Sequence, residues 1–446
     1  MADDPTAHLA ALVAETEYGD LPDDAVRPVE RAFVDTVGVT LAGTDEPAAR
    51  ETRTAFTDET GPATVVGTDR RAPADAAALV TATAGHALDF DDVTGEVWHP
   101  SVTLVAPALA AGEQVGAAGR DLVTAYAVGY EVEHALGDRL LPGHYERGWH
   151  ATATLGVFGA TAAAASLREL DREAARHAFG IAASMPAGLK ANFGTMAKPL
   201  HPGLAARSGV TAARLADAGF TAAQDAVAGE GGFLDLYAGD DGPESDGGGR
   251  PGDSWAVADG LRVKKYPCCY FTHAAIAATR HLAATHGIAP GDVEALHVGA
   301  SAAADGALHY SDPETGLEGK FSMHHAVAAA LARDRVGLDA FTDAAVADPE
   351  TAALRERVTF AVDPDLPAES YRATVDVETT DGRRHTHARG PPGTPDDPLP
   401  DAALRAKFED CLAHGPDVAA AEAYEALDSL RDVAAVGDLL ATLRPT

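Results

Sequence analysis

The sequence contains little lysine, and this scarcity limits what the protein can bind. Six lysines occur among 446 residues, and 34 basic residues in all stand against 68 acidic ones, which gives a net charge of −34. So acidic a chain repels the phosphates of nucleic acids and anionic lipid surfaces, and we therefore expect neither a nucleic acid nor a membrane partner. Acid-rich, lysine-poor sequences are typical of proteins that work in concentrated salt, where screening weakens self-repulsion.

Cysteine is also scarce, and this argues against disulfide and metal frameworks. There are three cysteines, Cys268, Cys269 and Cys411, which are too few for a disulfide framework and lack the CxxC spacing of zinc sites. We therefore expect no metal and no other cofactor. The N-terminal residues lack the basic and apolar regions of a signal peptide, and the uncharged run Ala151–Leu167 is short and rich in alanine. These features predict a buried helix and a cytoplasmic protein.

The hydrophobic pattern predicts a mainly α protein with an additional α+β domain. Residues 24–223 contain alanine-rich helical segments separated by short Gly, Pro or Asp segments. Alternating apolar residues near 293–298, 358–362 and 373–377 predict antiparallel strands, and Asp381-Gly382 predicts a hairpin turn after the last of these.

The helical pattern then resumes near the end of the sequence. We therefore predict a large all-helical domain, residues 1–268 completed by 393–446, and a smaller domain of antiparallel strands and helices over 269–392. Residues 239–254 have the Gly- and Asp-rich composition of a flexible surface loop.

Five short stretches combine the residue types that carry acid–base chemistry and bind anions. Five of the six lysines fall in three of them, next to histidine, cysteine or aromatic residues. In so acidic a chain this grouping indicates one compact cationic site, which a small polycarboxylate substrate requires, provided that the stretches converge in space. The stretches are residues 86–101, which contain DFDD and HPS; 148–156, which begin with GWH; 190–203, which begin with Lys190 and end in GTMAKPLHPG; 264–273, which begin with KKYPCC; and 320–325, which begin with KFS.

Taken alone, each stretch also has a purely structural interpretation. Acidic clusters are common on the surface of such a protein, and a histidine before an apolar helix often serves as a cap. Ser322 is a good N-cap for the helix predicted over 324–332, which would make the neighbouring residues structural. Taken together and in this order, the five stretches resemble the MmgE/PrpD family over essentially the whole chain.

This resemblance has several implications for fold and function. The family includes 2-methylcitrate dehydratase, cis-aconitate decarboxylase and iminodisuccinate epimerase, and its members are usually homodimers. The resemblance implies a large helical domain formed by the N-terminal part and the C-terminal helices, with an α+β domain inserted between them. It also implies catalytic roles for Asp89, His99, His150, Lys198 and Lys264, and substrate contacts for Lys190, Cys269 and His325, to which we add His201 as a supporting substrate-binding residue.

Four positions depart from the decarboxylase pattern. Val93 stands where the decarboxylase has threonine, Lys190 where it has methionine, Cys269 where it has histidine, and His325 where it has tyrosine. These departures argue against decarboxylation, and the additional Lys190 suits a substrate with more negative charge. The leading hypothesis is therefore a metal-independent hydro-lyase for a small hydroxy-tricarboxylate such as 2-methylcitrate or citrate, with histidine acid–base chemistry and lysine clamps on the carboxylates.

Three alternatives remain open at this point. The same site can support a cis-aconitate-type decarboxylase or a dicarboxylate epimerase. A metalloenzyme would use some of the 18 histidines, for example His385 and His387 on a predicted strand. A non-catalytic carboxylate-binding protein would retain the lysines without the proton-transfer chemistry.

Overall fold

The computed structural model describes residues 4–94, 98–238 and 254–446, which divide into two compact units. The first unit comprises residues 1–263 together with 400–446, and the second comprises residues 264–399. The mainly α character with an additional α+β part is confirmed. The loop predicted over 239–254 lies, except for Ser254, outside the described residues. Within the described chain no helix has the length and apolar character needed to cross a bilayer.

The N-terminal part of the first unit consists of helices with one short antiparallel ladder. The helices are α1 (Pro5–Glu15), α2 (Asp23–Gly43), α3 (Pro47–Phe56), α4 (Ala74–Ala87), α5 (Pro100–Val115), α6 (Gly119–Leu140), α7 (Gly143–Glu146), α8 (Ala151–Leu167), α9 (Arg172–Ala182), α10 (Ala197–Asp217), α11 (Phe233–Ala238) and α12 (Val257–Gly260). The ladder pairs β1 (Ala63–Thr64) with β2 (Arg71–Ala72).

Helix α8 forms the centre of this unit, as its uncharged sequence predicts. It is buried on all sides and packs against α5, α6 and α10. Its small residues permit this close packing: a Cβ added at Gly159 would lie 2.3 Å from a carboxylate oxygen of Glu133 on α6. Because α8 and α5 both begin in this packed interior, the residues that precede them are held in fixed positions inside the first unit.

The second unit is an α+β structure. Its helices are α13 (His273–His286), α14 (Ala302–Ala307), α15 (Gly316–Gly319), α16 (Met323–Ala332), α17 (Asp343–Val346) and α18 (Pro349–Arg355). Its strands are β3 (Val293–Ala300), β4 (Val358–Val362), β5 (Ala373–Thr379) and β6 (Arg384–Arg389), in the order β4-β3-β5-β6. Helix α13 packs on β5 and β6, and α16 packs on β4.

The prediction of antiparallel strands is only partly right. The hairpin between β5 and β6 is confirmed, with Gly382 in the left-handed region at φ +83° and Thr374 opposite Ala388. Strand β4, however, runs parallel to β3, with Leu296 opposite Val358. Five helices, α14 to α18, lie between these strands in the sequence, and a connection of that length lets the chain return in the same direction, which a short turn cannot do.

The chain then returns to the first unit through α19 (Asp401–Leu412), α20 (Ala420–Asp428) and α21 (Val436–Thr442). Helix α19 packs on α2 and carries the buried Lys407. The Nζ atom of Lys407 lies 2.6 Å from Oδ1 of Asp35 on α2 and donates a 2.8 Å hydrogen bond to the carbonyl of Phe90. Lys407, for which the sequence suggests no role, thus fixes the chain just beyond α4.

Candidate active site

The segment that follows α4 carries three aspartates, and the backbone directs them to different partners. Asp89 lies in the left-handed region with φ +52°, which non-glycine residues adopt seldom and Asp more readily than most. Beyond it, the backbone of Val93 exchanges hydrogen bonds of 3.0 and 2.9 Å with Arg262. The segment is therefore held at Val93 as well as at Phe90.

Asp89 forms a buried ion pair with Lys198. Oδ1 of Asp89 accepts a 2.7 Å hydrogen bond from Nζ of Lys198, which lies in the first turn of α10. Both side chains are at least nine-tenths buried. Removal of one partner of such a buried pair costs stability, because the other charge then loses the ion pair seen here.

Asp91 lies between two histidines. Its carboxylate oxygens are 2.8 and 3.0 Å from Nδ1 of His86 in the last turn of α4. One of the same oxygens is 3.1 Å from Nδ1 of His99, the residue that precedes α5. Burial alone would raise the pKa of Asp91, but the charges and hydrogen bonds of the two histidines hold it well below its ordinary value.

His150 forms a second histidine pair. It is the N-cap residue of α8, and its backbone N–H donates a 3.0 Å hydrogen bond to the carbonyl of Gly188. Its Nδ1 lies 2.9 Å from Nδ1 of His201 on α10, so one ring donates and the other accepts. Phe193 covers the ring of His150 edge-on at a centroid distance of 4.9 Å.

The two pairs join into one row of imidazole rings inside the first unit. Ring centroids are 4.6 Å apart for His99 and His86, 6.0 Å for His86 and His150, and 5.2 Å for His150 and His201. Burial lowers the pKa of His86 to about 4 and that of His150 well below 6.5, and the positive charge of Lys198 acts in the same direction on both. At neutral pH these two imidazoles are uncharged and able to accept protons.

The third aspartate of the segment, Asp92, has a structural role. Its carboxyl group accepts hydrogen bonds from the backbone N–H and the hydroxyl of Ser101 in the first turn of α5. The Ser101 hydroxyl in turn lies 2.6 Å from the hydroxyl of Tyr126. Burial and the neighbouring Asp35 raise the pKa of Asp92 well above its ordinary value, which favours the protonated form of this carboxyl group.

This assignment predicts how two substitutions at position 92 differ. Asp92→Asn keeps the shape and neutrality of the protonated acid, and we expect the free energy of unfolding to change by less than about 1 kcal/mol. Asp92→Ala leaves the N–H of Ser101 without its acceptor and is expected to cost about 1–3 kcal/mol. Urea unfolding of both variants tests this, and a larger loss for Asn than for Ala would contradict the structural role.

The remaining predicted site residues have other surroundings. In the first unit, Nζ of Lys190 donates a 3.1 Å hydrogen bond to the carbonyl of Tyr145 and lies 3.6 Å from the centre of its ring. In the second unit Lys264 is buried, the backbone N–H of Cys269 donates to the carbonyl of Lys320, and Nε2 of His325 is 2.9 Å from the carbonyl of Ala340. The roles predicted for Lys190, Lys264, Cys269 and His325 stay predictions.

The structure adds two residues that sequence reasoning did not assign to the site. His86 and Asp91 lie within the stretch that contains Asp89 and His99, but their residue types and positions do not distinguish them from the other residues of that stretch. The signal that could have found them is the spacing of His86 three residues before Asp89 and five before Asp91, at the end of a helix. Among the described residues, His86, Asp91 and His99 also form a group whose donor atoms lie within 4.8 Å of one another, a spacing that a metal ion can bridge.

The buried, neutral state of His150 has a measurable consequence for stability. Because its pKa is lowered in the folded protein, the unfolded chain binds a proton there at a pH where the folded protein does not. The stabilisation by His150 is therefore fully present above pH 6.5 and weakens as the pH falls below it, by roughly 1 kcal/mol per pH unit. Asp92 and Glu133 have raised pKa values and act in the opposite direction, so the histidine must be isolated by comparison with a variant.

We therefore expect the stability difference between the wild type and His150→Gln to become smaller as the pH is lowered from 7 to 5. Denaturant unfolding of both proteins at constant high salt concentration measures this difference. His134→Gln, on a partly exposed histidine of the same unit, is the matched control for the loss of an imidazole outside the row. A constant difference for His150→Gln would mean that His150 is not held in the neutral form.

Comparison with known proteins gives the family of the chain. Residues 7–246 match the MmgE/PrpD N-terminal domain and residues 266–432 match the MmgE/PrpD C-terminal domain. Cis-aconitate decarboxylase from Homo sapiens is 31% identical over 47% of this chain and 46% of that enzyme, so the chain spans about half the length of this relative. Cis-aconitate decarboxylase from Aspergillus terreus is 24% identical over 98% of this chain and 95% of that enzyme. The chain belongs to the MmgE/PrpD family.

Proposed function

We propose that the protein is a metal-independent hydro-lyase that acts on a small hydroxy-tricarboxylate such as 2-methylcitrate or citrate. The observation that carries the proposal is the buried row of four histidines beside the Lys198–Asp89 ion pair in the first unit. Membership of the MmgE/PrpD family and the relatives named cis-aconitate decarboxylase support a substrate with several carboxylates.

The row contains the groups that dehydration requires. A base removes a proton from the carbon next to a carboxylate, and an acid protonates the leaving hydroxyl. A cation stabilises the negative charge that develops on that carboxylate as the proton leaves. His150, buried and uncharged at neutral pH, is suited to accept the carbon-bound proton. His99, whose Nδ1 faces the Asp91 carboxylate, is suited to carry the positive charge of the acid.

Lys198 is the cation in this proposal. Its ammonium group is buried next to the row, where a positive charge interacts more strongly with a substrate carboxylate than it would in water. Lys264, Lys190 and His201 are proposed to contact the other carboxylates of the substrate, and Cys269 and His325 to contribute to its binding.

A second candidate is decarboxylation of cis-aconitate, because the named relatives are cis-aconitate decarboxylases. In that reaction the bond to one carboxylate breaks, CO₂ leaves, and a histidine delivers a proton to the carbon. The departures at Val93, Lys190, Cys269 and His325 make it the second choice. Dicarboxylate epimerisation would use the same acid and base.

Product analysis separates these reactions. The protein is incubated in high salt with citrate, 2-methylcitrate, cis-aconitate and iminodisuccinate, with and without EDTA, and the products are followed by NMR. We expect dehydration of a hydroxy-tricarboxylate that EDTA does not affect. Release of CO₂ from cis-aconitate would support the decarboxylase instead, inhibition by EDTA would point to a metalloenzyme, and lack of turnover of all four compounds would contradict the proposal.

The oligomeric state and the cellular location are part of the same proposal. We propose a homodimer in the cytoplasm of a salt-adapted cell, on the grounds of the acidic composition and the family. Light scattering at high and low salt concentration tests the oligomeric state, and a monomer under both conditions would contradict it.

A further inference from the structure

The geometry around Asp91 determines where its two histidines carry their hydrogens. The carboxylate faces Nδ1 of His86 at 2.8 Å and Nδ1 of His99 at 3.1 Å. An ionised carboxylate only accepts hydrogen bonds, and the lone pair of a bare ring nitrogen at either distance would be repelled by it. Both rings therefore carry hydrogen on Nδ1, and in the neutral form both present a lone pair on Nε2.

The other ring nitrogen of His86 strengthens this argument. Nε2 of His86 is buried and makes no hydrogen bond with any described residue. Leaving a buried polar atom without a partner costs about 1–3 kcal/mol, so such an atom is expected to meet a ligand, a substrate group or water. The ring of His86 lies between those of His99 and His150, the two histidines to which the proposed function gives the acid–base roles.

We infer that Asp91 is a positioning residue that holds His86 and His99 in the same Nδ1–H tautomer, and that His86 is a third proton-accepting residue of the site through Nε2, which has no hydrogen-bond partner among the described residues. The inference rests on the proposed function for its catalytic part, whereas the tautomers can be tested without any substrate. Proton transfer to Nε2 of His86 or His99 creates an imidazolium whose Nδ1 already lies within 3.1 Å of a carboxylate oxygen of Asp91. No side chain has to move for this charge to be compensated.

The shared carboxylate also explains why an amide cannot replace it. Oδ2 of Asp91 is the oxygen near both Nδ1 atoms, and an Asn carbonyl in its place could accept from both of them. The NH₂ group of Asn would then replace Oδ1, which lies 3.0 Å from Nδ1 of His86, and would put a donor next to a donor. Asn also lacks the negative charge that compensates an imidazolium at either ring.

The first test is the tautomeric state of the resting wild-type protein. Histidines labelled with ¹⁵N are observed by long-range ¹H–¹⁵N NMR at neutral pH, and the two residues are assigned with His86→Gln and His99→Gln. We expect a protonated Nδ1 and an unprotonated Nε2 for both rings. Hydrogen on Nε2 of either ring would overturn the inference, whatever reaction the protein catalyses.

The second test is kinetic and uses the substrate identified by product analysis. Asp91→Asn is expected to reduce kcat by about 10²–10⁴-fold with a much smaller change in KM, since the carboxylate acts on the imidazolium rather than on the substrate. His86→Gln is expected to lower kcat by about 10²-fold or more. Unchanged kcat in both variants, together with the expected tautomers, would overturn the inference and leave the proposed function intact.

A bound metal ion is the competing explanation for this group of donor atoms, and a third measurement addresses it. The purified protein is analysed for divalent metals and titrated with Zn²⁺ while the ¹⁵N spectrum is recorded. We expect no stoichiometric metal and no selective shift of the two Nδ1 signals. The inference would be overturned if the wild-type protein bound one equivalent of metal that shifted both Nδ1 signals and the Asp91→Asn variant did not bind it.

Discussion

Lys198→Met is expected to lower kcat/KM by about 10²–10³-fold, which corresponds to the loss of one cation in a desolvated site. Lys198 is buried, pairs with Asp89 at 2.7 Å and influences the protonation of His86, His150 and His201. In the proposed mechanism, removal of its charge removes the stabilisation of the negative transition state, and it also removes the ammonium group with which Asp89 forms its ion pair. Steady-state kinetics with the identified substrate measures the loss.

Two further variants show whether the effect comes from the charge or from damage to the fold. Lys198→Met combined with Asp89→Asn removes both charges of the pair. We expect the double variant to have a higher free energy of unfolding than Lys198→Met alone, but the same low kcat/KM. Lys265→Met, at the exposed lysine next to Lys264, is the matched control and should retain activity. If Lys198→Met is folded and turns over substrate at the wild-type rate, Lys198 is not the clamp proposed here.

The second large effect is expected at His150. His150→Gln removes the imidazole that is proposed to accept the carbon-bound proton, and we expect kcat to fall by about 10²–10⁴-fold. Because glutamine keeps a hydrogen-bonding group next to His201, the packing at the start of α8 should be conserved. Exchange of the substrate C–H proton with deuterated solvent, followed by NMR, measures the proton-removal step directly.

The exchange experiment distinguishes two ways in which the His150 variant can fail. Loss of both exchange and product formation places His150 in the removal of the proton. Continued exchange without product would contradict the assigned role and assign His150 to a later step. His134→Gln should leave both rates unchanged.

The parts of the fold that follow from local pattern could be predicted from the sequence. The uncharged stretch that became α8 has no polar face, so burial is the only stable arrangement for it, and its small residues permit contacts such as that between Gly159 and Glu133. Likewise, Asp381-Gly382 supplies the residue with positive φ that the β5–β6 hairpin requires.

The direction of β4 could not be predicted in the same way. Alternation of apolar and polar residues shows which face of a strand is buried, but it is the same for parallel and antiparallel neighbours. The direction depends on how the five intervening helices pack, which is a property of the whole second unit.

The sequence indicates which residue types the candidate site contains, but it does not show how the backbone directs their side chains. The residue types in the DFDD segment indicate acid–base chemistry, but nothing in their order distinguishes the ion-paired Asp89, the histidine-bound Asp91 and the serine-bound Asp92. The positive φ of Asp89 and the two anchor points at Phe90 and Val93 determine these directions. His86 could not be identified from the sequence, because a histidine at the end of an apolar helix has no sequence feature that separates it from a core residue.

The anchor that Lys407 provides also has a consequence for how the chain matures during synthesis. The segment that carries Asp89 is made early, whereas the helix that holds it through Lys407 is made more than 300 residues later. Residues 264–399 leave the ribosome before this helix, so they can complete their own core while the first unit still lacks α19. A nascent chain that ends before residue 400 would therefore contain the histidines of the row but lack the Lys407 hydrogen bond to the carbonyl of Phe90, which lies between His86 and His99 in the sequence.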